Sequence, residues 1–144
     1  MTRVSQVSTR EEKAIDAQRR VELGRRQEQR EAAAAQQLID EFLAEAKKQG
    51  LAPVPLIAQT LSGHKVRTDK HGWYLRRNHS LAIGEDGGYY VLTVPGGWLE
   101  RLRGVNLEPR LPPLRVGAGG RDGETGYLAE FLQWVLAGQV AQRD

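Results

Sequence analysis

The chain has 144 residues, with hydrophobic content of 40%, charged content of 27% and a formal net charge of +3. That suits one soluble globular domain with room for a core, and it is too little charge for an overwhelmingly basic surface. With no cysteine, disulfides, thiolate metal sites and cysteine nucleophiles are excluded.

No run of about 18 apolar residues is present, so no spanning helix is expected. The start, MTRVSQVSTREEK, lacks the apolar core of a secretory signal, and a cytoplasmic protein is expected. Residues 1–9 read as disordered, with Ser8 and Thr9 as candidate N-caps and Glu11 and Glu12 in a first turn. From there to Gln49 nearly every residue is a good helix former, and Asp16–Arg20 and Glu22–Arg26 are favourable i,i+4 pairs. Residues 1–34 are expected to form a charged helical or partly disordered arm. Its large apolar residues between Thr9 and Arg30 are only Ile15, Val21 and Leu23, and Gly24 interrupts it. Leu38, Ile39, Phe42, Leu43 and Ala46 follow at 3.6-residue spacing, a stripe that should dock on a sheet. Gly50 is the expected C′ residue after Lys47 and Lys48.

Pro53 and Pro55 favour extended backbone, and residues 56–61 read as a short edge strand turned by Ser62-Gly63-His64. The clearest signal is GWYLRRNHSLAIGEDGGYYVLTV, residues 72–94. Asp86-Gly87 reads as a two-residue turn, which pairs Glu85 with Gly88, Ile83 with Tyr90 and Leu81 with Leu92. Alternation then puts Leu81, Ile83, Tyr90, Leu92 and Val94 on the core face, and Ala82, Gly84, Tyr89, Val91 and Thr93 on the other. With Trp73-Tyr74-Leu75 before a turn at Asn78-His79-Ser80, this predicts a three- to four-stranded antiparallel meander.

Trp98, Leu99 and Leu102 suggest a short helix stopped by Gly104, residues 105–107 a short strand, and residues 114–116 a last strand. Residues 117–126 form a glycine-rich loop. Leu128, Phe131, Leu132, Val135 and Leu136 then predict a helix capped by Thr125 or Asp122 and ended by Gly138, with residues 139–144 frayed. The expected fold is α+β: a single domain over residues 35–138, its meander packed by the end of a long N-terminal helix and by a C-terminal helix.

Motifs of known chemistry fail on spacing. VGAGGRDGETG lies between a strand and a helix, but Asp122 stands where a dinucleotide fingerprint needs glycine, and no GK[ST] follows. Asp122 and Glu124 also oppose an anion at that helix start, despite Arg121. His64, His71 and His79 lack metal-ligand spacing, Ser80 lacks a nucleophile motif, and Glu85 and Asp86 sit in water at a hairpin tip. No cofactor or metal is implied, and an enzyme would need a site assembled from distant residues. Residues 109–112 fit PxxP, which a rigid connector explains equally well.

Two basic clusters carry the functional expectation. Arg19, Arg20, Arg25, Arg26 and Arg30 crowd the arm against Glu22 and Glu28. Lys65, Arg67, Lys70, Arg76 and Arg77 interleave with His71, Trp73, Tyr74 and His79, the mixture that holds phosphates and stacks bases. The expected protein is therefore a small non-enzymatic cytoplasmic module. It would bind a protein partner, or itself, through the N-terminal helix. Non-sequence-specific nucleic-acid binding through the arm and the Lys65–His79 surface is the alternative, and no membrane partner is expected. GWYLRRN…SLAIGEDGGYYVLTVPGG, with GRDGE before the final helix, resembles stretches of uncharacterised bacterial proteins over about the last two-thirds of the chain. That resemblance implies no activity.

Overall fold

The computed structural model describes residues 2–97, 102–117 and 125–143, with side chains from residue 9 onward. Helix α1 runs Thr2–Gln49, 48 residues and about 70 Å at 1.5 Å per residue. It therefore starts well before the expected caps at Ser8 and Thr9. No proline or glycine interrupts residues 2–23, and the cost of the few β-branched residues there is small. The buried stripe of α1 is Ala32, Ala35, Ile39, Phe42 and Ala46, spaced three and four apart, with Leu38 and Leu43 packed at its margin. Gly50 ends the helix as expected, at φ 71°. Its N–H donates to Lys47 O at 3.1 Å and the Leu51 N–H to Ala46 O at 2.8 Å, so two terminal carbonyls are satisfied while Leu51 packs back on the core.

Strands β1 (Val54–Thr60), β2 (Lys65–Tyr74), β3 (Leu81–Gly84), β4 (Tyr89–Val91) and β5 (Thr93–Val94) form one mostly antiparallel sheet in the order β4-β3-β2-β1-β5. The predicted hairpin is present, but its register is one residue away from expectation. Leu81 pairs with Val91, Ala82 with Tyr90 and Ile83 with Tyr89. The loop has three residues, Glu85, Asp86 and Gly87. The Gly87 N–H closes on Gly84 O at 2.9 Å, and Gly87 takes the left-handed conformation at φ 85°. Asp86 fixes this geometry by accepting from the Gly88 N–H at 2.9 Å and the Tyr90 hydroxyl at 2.5 Å. A slip of one residue exchanges faces. Tyr89, not Tyr90, therefore joins Leu81 and Ile83 against the helices.

The sheet also closes on itself. Only Leu92 separates β4 from β5, yet β4 pairs with β3 while β5 pairs in parallel with β1, Gln59 against Thr93 and Thr60 against Val94. The Leu92 N–H donates to Ser80 O and its carbonyl accepts from the Gln59 N–H, both at 2.8 Å. Strand β1 thus lies between two partners, where an edge strand was expected. Closure gives two cores. Val54, Leu56, Ala58, Tyr74, Ala82, Tyr90, Leu92, Val94 and Leu107 fill the inside. Trp73, Leu75, Leu81, Ile83 and Tyr89 lie outside it, under α1 and the C-terminal helix.

Strand β2 bulges where its register jumps from Pro55↔His71 to Ile57↔Arg67. The Thr68 hydroxyl fills the gap, donating to Leu56 O at 2.7 Å. The connector after Gly104 docks on this bulge, with the Val105 N–H on Arg67 O at 2.8 Å and the Leu107 N–H on Asp69 Oδ1 at 2.8 Å. Where a strand was expected over residues 105–107, Val105 makes one isolated bridge to Thr68. Trp98 and Leu99, expected in a short helix, lie outside the described residues.

Strands β6 (Arg115–Val116) and β7 (Gly126–Tyr127) form a separate pair that leads into α2 (Leu128–Leu136). The N-cap of α2 is Tyr127, whose N–H donates to Glu130 Oε1 at 3.4 Å, so Thr125 is not the cap and Asp122 lies outside the described residues. Leu128, Phe131, Leu132 and Val135 are buried. Gly138, at φ 74°, closes the end as Gly50 does. The chain after it was expected to fray, but residues 139–143 are anchored. Val140 is buried, and the Gln142 amide accepts from the Tyr74 N–H at 2.6 Å and donates to Tyr74 O at 3.0 Å. One side chain thereby stands in for a neighbouring strand.

Candidate functional site

The arm is helical and unaccompanied. Every residue from Thr9 to Arg30 is exposed, and α1 meets the rest of the chain from Glu31 onward. There the Glu31 carboxylate accepts from the Leu114 N–H at 3.0 Å, and Gln36 Nε2 donates to Gly87 O at 2.9 Å. At about 100° per residue, Val21 falls in line with the buried stripe, whereas Ile15 and Leu23 lie towards the opposite side. Val21 is 74% exposed and Leu23 57%. The same count puts Arg19, Arg26 and Arg30 on the face away from that stripe, with Arg20 and Arg25 on its flanks. Arg26 is 3.6 Å from Glu22. Three of the five arginines therefore share one face, and Arg20 and Arg25 lie apart from it on either side.

The second cluster separates as well. Trp73 is in the helix-facing core, edge-on to Phe42 at 5.3 Å, and its indole N–H has no partner among the described residues. It offers no surface for stacking. Arg76 is buried, with Nη1 3.5 Å from the Ser80 hydroxyl. Arg67 reaches Leu102 O at 3.3 Å. Lys70 is 3.2 Å from Asp69 and sits over the Tyr90 ring at 5.8 Å. The Leu107 N–H, followed by Lys70, holds the Asp69 carboxyl below the usual carboxylate range. Burial, then the Asp86 carboxylate, drives the Tyr90 hydroxyl far above the usual tyrosine range, and burial raises Tyr89. Of the histidines, His64 bonds Ser62 at the surface through Nδ1 at 2.9 Å, His71 is exposed, and His79 lies elsewhere. No group of three or more potential metal ligands converges among the described residues.

Lys65 and Arg77 do come together. They line a groove of about 540 Å³ between β1, the turn after β2 and the C-terminal segment. One wall is β1, where Pro55 and Ile57 supply the accessible apolar surface. Lys65, Arg77 and Arg143 supply positive charge, and no carboxylate is among the described lining residues. Among its lining residues His79 stacks on Tyr74, with ring centroids 3.8 Å apart and planes within 4°. Neighbouring backbone holds both rings. The Ile57 N–H donates to the Tyr74 hydroxyl at 2.9 Å, and His79 Nε2 meets Ala141 O at 2.8 Å. His79 is at φ 57°, the sole left-handed non-glycine among the described residues.

Sequence reasoning named Lys65 and Arg77 but left out Arg143 and the Tyr74–His79 stack. The signal available was the run Arg76-Arg77-Asn78-His79, two cations leading into a tight turn. Nothing local marks Gln142 or Arg143. Arg121, Asp122 and Glu124 of the glycine-rich loop lie outside the described residues. No described helix is long and apolar enough to cross a membrane. Comparison with protein-family models, curated proteins and solved structures finds no match, so the site is read from its own geometry.

Proposed function

We propose that the protein is a non-enzymatic binding module that joins a protein partner through the free length of α1, and that the partner is a second copy running antiparallel. The observation behind this is the uninterrupted exposure of residues 9–30 in a helix whose continuation is firmly packed. A helix without tertiary cover is marginal in water, and a second helix would supply that cover. Charge favours an antiparallel mate. Residues 10–16 carry Glu11, Glu12 and Asp16 against Arg10 and Lys13, whereas residues 19–30 carry five arginines against Glu22 and Glu28. Head-to-tail alignment sets the acidic start beside the basic end.

Sedimentation velocity of the full chain over a concentration series tests this. A monomer–dimer equilibrium is expected, weakened by Val21→Asp and by Arg25→Glu, which flanks the face of Val21, and weakened further by salt. A species that stays monomeric at every concentration overturns it. A second reading, binding to nucleic acid, is supported by Lys65, Arg77 and Arg143 sharing one groove. It predicts affinity that falls steeply with salt.

A further inference from the structure

The geometry points to the groove beside the Tyr74–His79 stack as a binding site for a nucleotide unit, its phosphate on Lys65, Arg77 and Arg143 and its base against His79. This goes beyond association through α1 and uses none of the arm's residues.

The groove holds the two chemistries that such a ligand needs. At about 540 Å³ it falls within the range of small-molecule sites, and it is apolar on the β1 side and cationic on the other. Two guanidinium forks and an ammonium exceed what a single carboxylate requires and suit a phosphate dianion. Lys65, Arg77 and His79 also interact within the chain, so a phosphate would have to share or displace those contacts.

The stack is rigid from below. The backbone N–H and C=O of Tyr74 are both bound by Gln142, and its hydroxyl by Ile57. Tyr74 is 4% exposed, whereas His79 is half-buried, so the histidine is the accessible ring of the pair. A base can lie on such a ring whatever its identity. His79 also occupies a left-handed position where glycine or asparagine would cost less. The contact with Ala141 O fixes the imidazole in that position.

The ligand chemistry could come from a free nucleotide or from one residue of a single strand, and the experiment separates them. Full-length protein at low salt would be titrated calorimetrically with adenosine monophosphate, adenosine and inorganic phosphate. A fluorescein-labelled deoxythymidine decamer would be followed by anisotropy. Adenosine monophosphate should bind at least about tenfold tighter than adenosine or phosphate alone. The Arg77→Ala/Arg143→Ala variant should lose about tenfold or more for every phosphate-bearing probe. His79→Gly, which keeps the backbone conformation, should retain phosphate binding and lose the advantage of the base. Arg25→Glu should change none of these, which keeps this test separate from the dimer. A decamer that binds far tighter, with a steep salt slope, identifies a strand as the source. Equal affinities identify the free nucleotide. Failure of both adenosine monophosphate and the decamer to bind, or equal binding by wild type and the double-arginine variant, overturns the proposal.

Discussion

One helix has two environments. From Thr9 to Arg30, α1 is exposed on every side, and from Ala32 to Ala46 it buries a regular stripe. Propensity does not separate the halves, since the arm is rich in arginine, glutamate and glutamine and the docked part in alanine, glutamine and glutamate, all good helix formers. The difference is the apolar residue at every third or fourth position. Ile39 and Phe42 fill that phase in one half, whereas Val21 fills it in the other and Gly24 follows. A sequence can thus be uniformly helical while only part of it has a place to pack.

The contrast is broken most strongly by core truncation. Phe42→Ala should cost about 3–5 kcal/mol in chemical denaturation, because Phe42 is buried edge-on to Trp73. Leu23→Ala, at 57% exposure, should stay within about 0.5 kcal/mol. Equal losses would mean that the arm packs as tightly as the docked half. Next is Gly72→Ala. Gly72 faces Gly84 across β2 and β3, and an added Cβ would collide with Ile83 O and approach Gly84 Cα to 2.8 Å. A loss of about 2–3 kcal/mol is expected, which should loosen the docked half of α1 and leave the arm's amide exchange rates as they were.

Alkali offers a gentler probe. Tyr89 and Tyr90 are raised in the folded state mainly by burial, so they stay neutral where unfolded tyrosines ionise. Stability is then fully present below the ordinary tyrosine value and falls as pH rises above about 10. Tyrosinate absorbance should show a part that appears only with unfolding, and Asp86→Asn should lower the pH at which it appears. A modest loss belongs to Gln142→Ala, about 1 kcal/mol, from losing the amide's bonds to Tyr74. A loss as large as that of Phe42→Ala would make the C-terminal segment part of the core rather than its latch.

Features governed by near neighbours were legible in the sequence. The α+β class, the docked stripe, the C-terminal helix and the glycine ends at Gly50 and Gly138 follow from local spacing and chirality. The hairpin was legible but its register was not, because a two-residue and a three-residue loop both fit Glu85-Asp86-Gly87. The choice rests on the Asp86 contacts with Gly88 and Tyr90. Trp73 and Arg76 were misplaced on a surface because residues 72–76 are all buried, and alternation gives no guide where both faces are covered. The groove was only partly legible, since it draws on residues 54–59, Lys65, residues 74–79 and residues 142–143, which nothing in the sequence ties together.

Closure of the sheet through Leu92 has a consequence for solution behaviour. An open sheet offers unsatisfied backbone to any passing chain and so seeds aggregation. Here the stretch from Tyr89 to Val94 holds both ends of the strand order, β4 pairing with β3 and β5 with β1, and the Arg110 N–H donates to Tyr89 O at 2.8 Å. A neighbouring molecule meets little template for strand addition. Crowded molecules would then meet through side chains and helix surfaces, and the five-stranded sheet itself would stay out of fibrils.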